Sequence, residues 1–104
     1  MGASTFVEEV RQERGTTLET AFEDRAERSR REDGRSYSGE IGMKHEVRLV
    51  PCAVETFEAA RREASRLLAE GGRYADRDGP CWAIAVPARG ARLAGWVFFG
   101  MARS

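Results

Sequence analysis

Cys81-Trp82-Ala83-Ile84-Ala85-Val86-Pro87 and Leu93-Ala94-Gly95-Trp96-Val97-Phe98-Phe99-Gly100-Met101-Ala102 are the stretches whose reading decides the fold. Trp82, Ile84 and Val86 alternate with Cys81, Ala83 and Ala85, while Trp96 and Phe98 face one way and Val97, Phe99 and Met101 the other. Both segments are therefore strands, and both are apolar on two faces. The connection Ala88-Arg89-Gly90-Ala91-Arg92 contains the glycine of a hairpin loop. Such a hairpin has two outlets. It occupies the centre of a sheet with both faces covered, or one face meets another molecule. On the second reading Trp82, Trp96 and Phe98 form a protein-binding patch, and the same surface favours a two-fold homodimer.

Upstream of the hairpin, Phe57, Ala60, Ala64, Leu67 and Leu68 make the apolar stripe of a helix from Thr56 to Glu70, with charged residues opposite and Gly71-Gly72 as its stop. Tyr74 to Pro80 reads as a loop. Further back, Tyr37, Gly39, Ile41, Met43, His45, Val47 and Leu49 share one parity, and Ser38, Glu40, Gly42, Lys44, Glu46 and Arg48 the other. That alternation predicts one curved strand or two shorter ones, with the first set on the core and the second in water. Pro51 ends the run, and Gly39 and Gly42 mark a bulge or bend. An earlier helix opens at Gly15-Thr16-Thr17, where Thr16 and Glu19 have capping-box spacing. Leu18, Ala21, Phe22 and Ala26 form its stripe, Ser29 falls on a less buried second half, and Gly34 closes it. A weak strand signal lies near Thr5 to Gln12. The sum is a single α+β domain over residues 1–104, with order β-α-β-α-β-β and two helices on one face of a small, mainly antiparallel sheet.

Seventeen basic residues balance seventeen acidic ones, so net charge predicts no polyanionic partner. Sixteen of the basic residues are arginine and only Lys44 is lysine. Such a bias follows from a GC-rich genome without selection for phosphate chemistry. Neither a signal peptide nor a membrane-length apolar run is present, which predicts a cytoplasmic protein with free thiols and no membrane contact. Cys52 and Cys81 are spaced for neither a zinc ribbon nor a redox pair, and both read as small core residues at strand ends.

His45 is the one histidine, so any imidazole chemistry runs through it. On the apolar parity it reads first as a partly buried residue with a satisfied hydrogen bond. No nucleophile signature surrounds either cysteine, Asp76-Arg77-Asp78-Gly79 is a turn rather than a calcium loop, and the glycine pairs are not a phosphate loop. No catalytic, metal or cofactor set emerges, and the chain is read as a non-enzyme. Arg25, Arg28, Arg30, Arg31 and Arg35 gather around the end of the first helix, beside Tyr37. Arg28, Arg31, Arg35, Tyr37 and His45 are thus the candidates for holding a phosphate or stacking on a base or nucleotide, with Trp96 a further stacking residue. Glu27, Glu32 and Asp33 interrupt the run, and the helix dipole alone favours basic residues there. The balanced charge argues against a nucleic-acid role.

The segment Gly34-Arg35-Ser36-Tyr37-Ser38-Gly39-Glu40-Ile41-Gly42-Met43-Lys44 resembles the Gly-Tyr-Thr-Gly-Thr-Ile-x-x-Lys core of a family of small phage and bacterial proteins. A helix with an Ala-Phe pair precedes that core, as Ala21-Phe22 do here. A Gly-Pro turn like Gly79-Pro80 follows, and Phe98-Phe99-Gly100-Met101-Ala102 is similar to the family's closing Phe-Phe-Gly-Trp-Ala. Arg35-Ser36 replace small glycines and Met101 replaces a tryptophan. The resemblance implies a small cytoplasmic protein carried by phages or mobile elements, and it implies no active site. The leading expectation is a binding protein that contacts a larger host protein, for example as an anti-CRISPR or other anti-defence inhibitor. The alternatives are a small-ligand or nucleotide sponge and a nucleic-acid-binding accessory protein.

Overall fold

The computed structural model describes residues 2–34, 37–88 and 92–104, so Arg35 and the tip of the hairpin connection lie outside the described residues. The chain runs β1 (Ala3–Arg11), α1 (Leu18–Asp33), β2 (Val47–Leu49), α2 (Phe57–Glu70), β3 (Cys81–Pro87) and β4 (Leu93–Arg103). Short 3-10 turns occupy Ile41–Met43 and Gly72–Ala75. The α+β class and the element order are those the sequence predicts. Two helices pack with one mixed sheet of order β1-β4-β3-β2, in which β1 and β3 are antiparallel to β4 and β2 is parallel to β3.

The helices do not share a face. Ala21, Phe22 and Ala26 of α1 pack with Phe6, Cys81, Ala83, Trp96 and Phe98. Ala60, Ala64 and Leu67 of α2 pack with Trp82, Ile84, Val86, Val97 and Phe99. Topology supplies the reason. The crossover from β1 to β2 runs across the sheet in one direction, and the crossover from β2 to β3 turns back. Right-handed crossovers in opposite directions put their helices on opposite faces. The two-faced hairpin is therefore the covered centre of the sheet. Trp82, Trp96 and Phe98 are 8%, 2% and 0% exposed, so they are core and make no docking patch.

Local chemistry sets the helix limits. The N-cap of α1 is Thr17 rather than Thr16, its hydroxyl accepting from the Thr20 N–H at 3.2 Å. Thr56 caps α2 in the same way through Ala59 at 3.0 Å. Gly34 and Gly71 close the helices at φ 90 and 85. Tyr74, read as loop, instead lies in a 3-10 turn and packs edge-on to Trp82 at 4.9 Å. Cys81 is buried as expected, whereas Cys52 is exposed beyond the end of β2.

The alternating stretch departs furthest from its pattern. Of residues 37–49 only Val47–Leu49 is strand. Tyr37 and Gly39 have φ of 55 and 73, values that no strand accommodates. Gly42 marks a close approach rather than a bulge, since a Cβ there would stand 3.0 Å from the backbone nitrogen of Arg30. The C-terminal half of α1, expected to be the less buried half, holds this segment. The fully buried Ser29 hydroxyl accepts from the Gly42 N–H at 3.2 Å and donates to Asp33 at 3.1 Å. The Arg30 guanidinium donates to the carbonyls of Gly42 at 2.8 Å and Lys44 at 2.7 Å.

Parity fails at Lys44, on the supposedly wet side yet only 3% exposed. Its ammonium donates to the carbonyls of Gly79 at 2.8 Å, Arg77 at 3.2 Å and Asp76 at 3.4 Å. Three donors meet three acceptors, so the one lysine ties the loop before β3 to the chain entering β2. Burial lowers its pKa from 10.5, with the nearby Cys81, Asp76 and Asp78 acting in the other direction.

Two expectations follow from this packing. Phe98→Ala should lower unfolding free energy by about 3–5 kcal/mol, the cost of emptying a core aromatic site; a loss below about 0.5 kcal/mol in urea denaturation would return Phe98 to the surface. Lys44→Met should cost about 1–3 kcal/mol near neutral pH, because three carbonyls lose their donor. The depressed folded pKa means the native state binds fewer protons than the unfolded chain just below 10.5, so wild-type stability gains from this group as pH rises through that window. The gain is complete above the unfolded value and is lost as pH falls through the folded one. The variant should lack it, and parallel urea midpoints for the two proteins across alkaline pH would contradict the assignment.

Candidate functional site

With a helix on each face, the sheet has its two ends and its two edges left for contact. One end gathers the start of β3, the end of β4 and the segment leading to β2. Residues 43–46, 77–79 and Arg103 line a cleft of about 500 Å³ there. Lys44 forms its floor but spends its donors on carbonyls. Arg103 is paired with Asp78 at 2.8 Å, and Arg77 and Glu46 are exposed. His45, expected to be partly buried, is exposed, with Nδ1 3.5 Å from an Arg30 nitrogen.

Tyr37 belongs to the same end. The Gly39 N–H donates to the Arg103 carbonyl at 2.7 Å, and a Cβ on Gly39 would stand 2.8 Å from the Cβ of Ser4. Two residues before Gly39, Tyr37 has a left-handed backbone and is 49% exposed. Glu40, close behind, has its carboxyl pushed up by burial first and then by Asp33 and Glu8.

The opposite end carries a cleft of about 860 Å³ lined by Arg11, Gln12, Arg14 and Gly15 from the β1 side and by Ala88 and residues 92–94 from the hairpin. Three of these side chains are guanidinium groups and none is a carboxylate. Arg11 donates to Glu9 at 2.9 Å and stacks over the Phe57 ring at 4.6 Å.

The arginines expected to form one phosphate-binding group are dispersed. Arg25 is ion-paired with Glu8, and Arg30 is consumed by carbonyls and by Glu27 at 3.3 Å. Arg31 is exposed and 3.9 Å from Glu27. Arg28 lines a separate groove of about 300 Å³ between α1 and β1 with Glu9, Glu13 and Asp24. Trp96, proposed for stacking, is core. Among the described residues expected to hold a ligand, Tyr37 and His45 come to one end of the sheet, where Arg77 and Arg103, which sequence reasoning missed, also lie; Arg35 is outside the described residues. Arg11, Arg14 and Arg92 were missed as well, because their proximity depends on the pairing of β1 with β4.

Neither thiol is activated. Burial raises the pKa of Cys81 strongly, with Lys44 opposing, and partial desolvation of the otherwise exposed Cys52 raises its pKa, with Glu63 adding to it. Among the described residues no group of three His, Cys, Asp or Glu side chains could hold a metal ion, and no helix is long and apolar enough to cross a membrane. No protein-family model, curated protein or solved structure matches the chain.

Proposed function

We propose that this is a non-enzymatic binding protein that acts through protein–protein contacts, with the Tyr37–Arg103 end of the sheet as its contact face. One observation carries the reading: a half-exposed tyrosine with a left-handed backbone lies two residues before Gly39, whose N–H is bonded to the Arg103 carbonyl, at the end of the sheet that also carries exposed His45 and Arg77. Tyrosine and arginine supply much of the energy in protein interfaces. The adjoining cleft is open and rimmed by charged side chains from Glu46, Arg77, Asp78 and Arg103, whereas small-molecule sites are usually enclosed. The raised pKa values of both thiols support a role without nucleophilic chemistry. Resemblance to small phage and bacterial proteins supports a larger host protein as partner and an anti-defence role, such as inhibition of a CRISPR nuclease.

Purified protein added to CRISPR nuclease complexes should bind and suppress cleavage, and Tyr37→Ala should weaken that binding by about 2 kcal/mol. Its thermal midpoint should stay close to wild type because the ring is exposed. Absence of both binding and inhibition would dismiss the anti-defence role, and unaltered binding by Tyr37→Ala and Arg77→Glu would dismiss this face.

A second reading, an anionic small ligand, is favoured by the Arg11, Arg14 and Arg92 cleft. It predicts a thermal shift with inorganic phosphate or a nucleotide that Arg14→Ala and Arg92→Ala each reduce. A flat response across nucleotides and phosphate would end it.

A further inference from the structure

β1 is an edge strand of nine residues, and among the described residues its only ladder is with β4. The register is unbroken from Ala3↔Arg103 to Arg11↔Gly95. Just beyond its two ends the Gln12 N–H donates to the Ala94 carbonyl at 2.9 Å and the Ser104 N–H to the Gly2 carbonyl at 3.2 Å. Even-numbered residues therefore direct their backbone groups at β4. By the alternation of an antiparallel ladder, Ala3, Thr5, Val7, Glu9 and Arg11 direct theirs outward. A groove lies between the last residues of β1 and α1. Val10 and Arg11 of β1 line it with Asp24, Arg25 and Arg28 of α1, and no residue of β4 contributes.

We propose that the free edge of β1 pairs antiparallel with β1 of a second copy of this chain, about a two-fold axis through Val7. The register follows from charge and length. Strand β1 has an uncharged half, Ala3-Ser4-Thr5, and a charged half, Glu8-Glu9-Val10-Arg11. A dyad at Val7 sets each charged half against an uncharged one: Glu9 faces Thr5 of the partner subunit, Arg11 faces the partner's Ala3, and Glu8 faces the partner's Phe6. All nine residues pair, and each of the five outward-facing positions exchanges two hydrogen bonds with its opposite number. A dyad at Glu8 or at Glu9 would oppose two identical carboxylates and shorten the ladder. One at Phe6 avoids like charges but leaves Val10 and Arg11 unpaired.

The flanking chemistry agrees. Glu9 is ion-paired with Arg11 at 2.9 Å and with Arg61 at 3.6 Å, so its carboxylate is held in place at a defined position on the edge. Val7 is half-buried against the α2 core, and the partner's Val7 beside it on the same face would cover the rest. The groove holds both signs, so two-fold symmetry can set Asp24 against the partner's Arg28. The product is a continuous eight-stranded sheet with two helices on each face. This interface lies along an edge of the sheet, and the hairpin from which self-association was expected is buried.

Sedimentation velocity on the full chain tests it. Wild type should dimerise reversibly. Thr5 is exposed and faces the partner's Glu9 only in this register, so Thr5→Glu should raise the dimer dissociation constant about tenfold, because each of two symmetric pairs gains a like-charge contact. Thr5→Lys should lower it. Circular dichroism melting of both variants should match wild type, which separates loss of the dimer from loss of the fold. A monomer at every concentration would overturn the proposal, and so would a dimer indifferent to both substitutions.

Discussion

The structure depends on the double-sided burial of β4. Trp96 and Phe98 on one face, and Val97 and Phe99 on the other, are all at most 2% exposed. A strand of this kind cannot sit at an edge or against solvent, so β1 and β3 must flank it and a helix must cover each face. Fully burying such side chains is worth about 1.5–3 kcal/mol each, far more than any surface ion pair in this chain supplies. Phe98 meets Phe22 of α1 edge-on at 6.1 Å, while Phe99 meets Tyr74 at 6.0 Å on the other side. The two half-cores are thus joined through one strand, and whatever loosens that strand exposes both.

The second constraint is polar. The chain between α1 and β2 makes little regular structure, and buried backbone groups there need partners from elsewhere. Ser29, Arg30 and Lys44 provide them. Two of these residues carry charge but act as donors to backbone carbonyls, so the segment is fixed without a sheet ladder. Gly42 permits the close approach to α1.

Much of the fold was legible in the sequence. The apolar stripes at Leu18, Ala21, Phe22 and Ala26, and at Phe57, Ala60, Ala64 and Leu67, each gave a helix with a threonine cap and a glycine stop. The two-faced hairpin contained its own answer in the burial of both parities. What failed was the face assignment of the helices, which depends on strand order, a property no local pattern encodes. The alternation from Tyr37 to Leu49 also misled. Lys44 sat on the wet parity because its acceptors, the carbonyls of Asp76, Arg77 and Gly79, are more than thirty positions away and carry no side-chain signature. The site was less legible still: Tyr37 and His45 were found by type, whereas Arg77 and Arg103 join them only through the closing of β4 against the loop before β3.

Covering both faces has a consequence for how such a small protein can meet others. Most of its large apolar residues are committed inside, so contact falls to rims and edges, where charge and backbone groups dominate. The two edges are not equivalent. β2 has three residues and presents exposed Arg48 and Leu49 beside Pro51, which lacks a backbone donor, and such short interrupted strands resist pairing. β1 is three times as long and has no proline, and its charges are confined to one half. Edge protection by charge works when like charges meet in every register. Confining charge to one half of a strand leaves open the register in which each half meets its opposite. The same sequence feature that discourages random association of β1 therefore selects one geometry for a specific one.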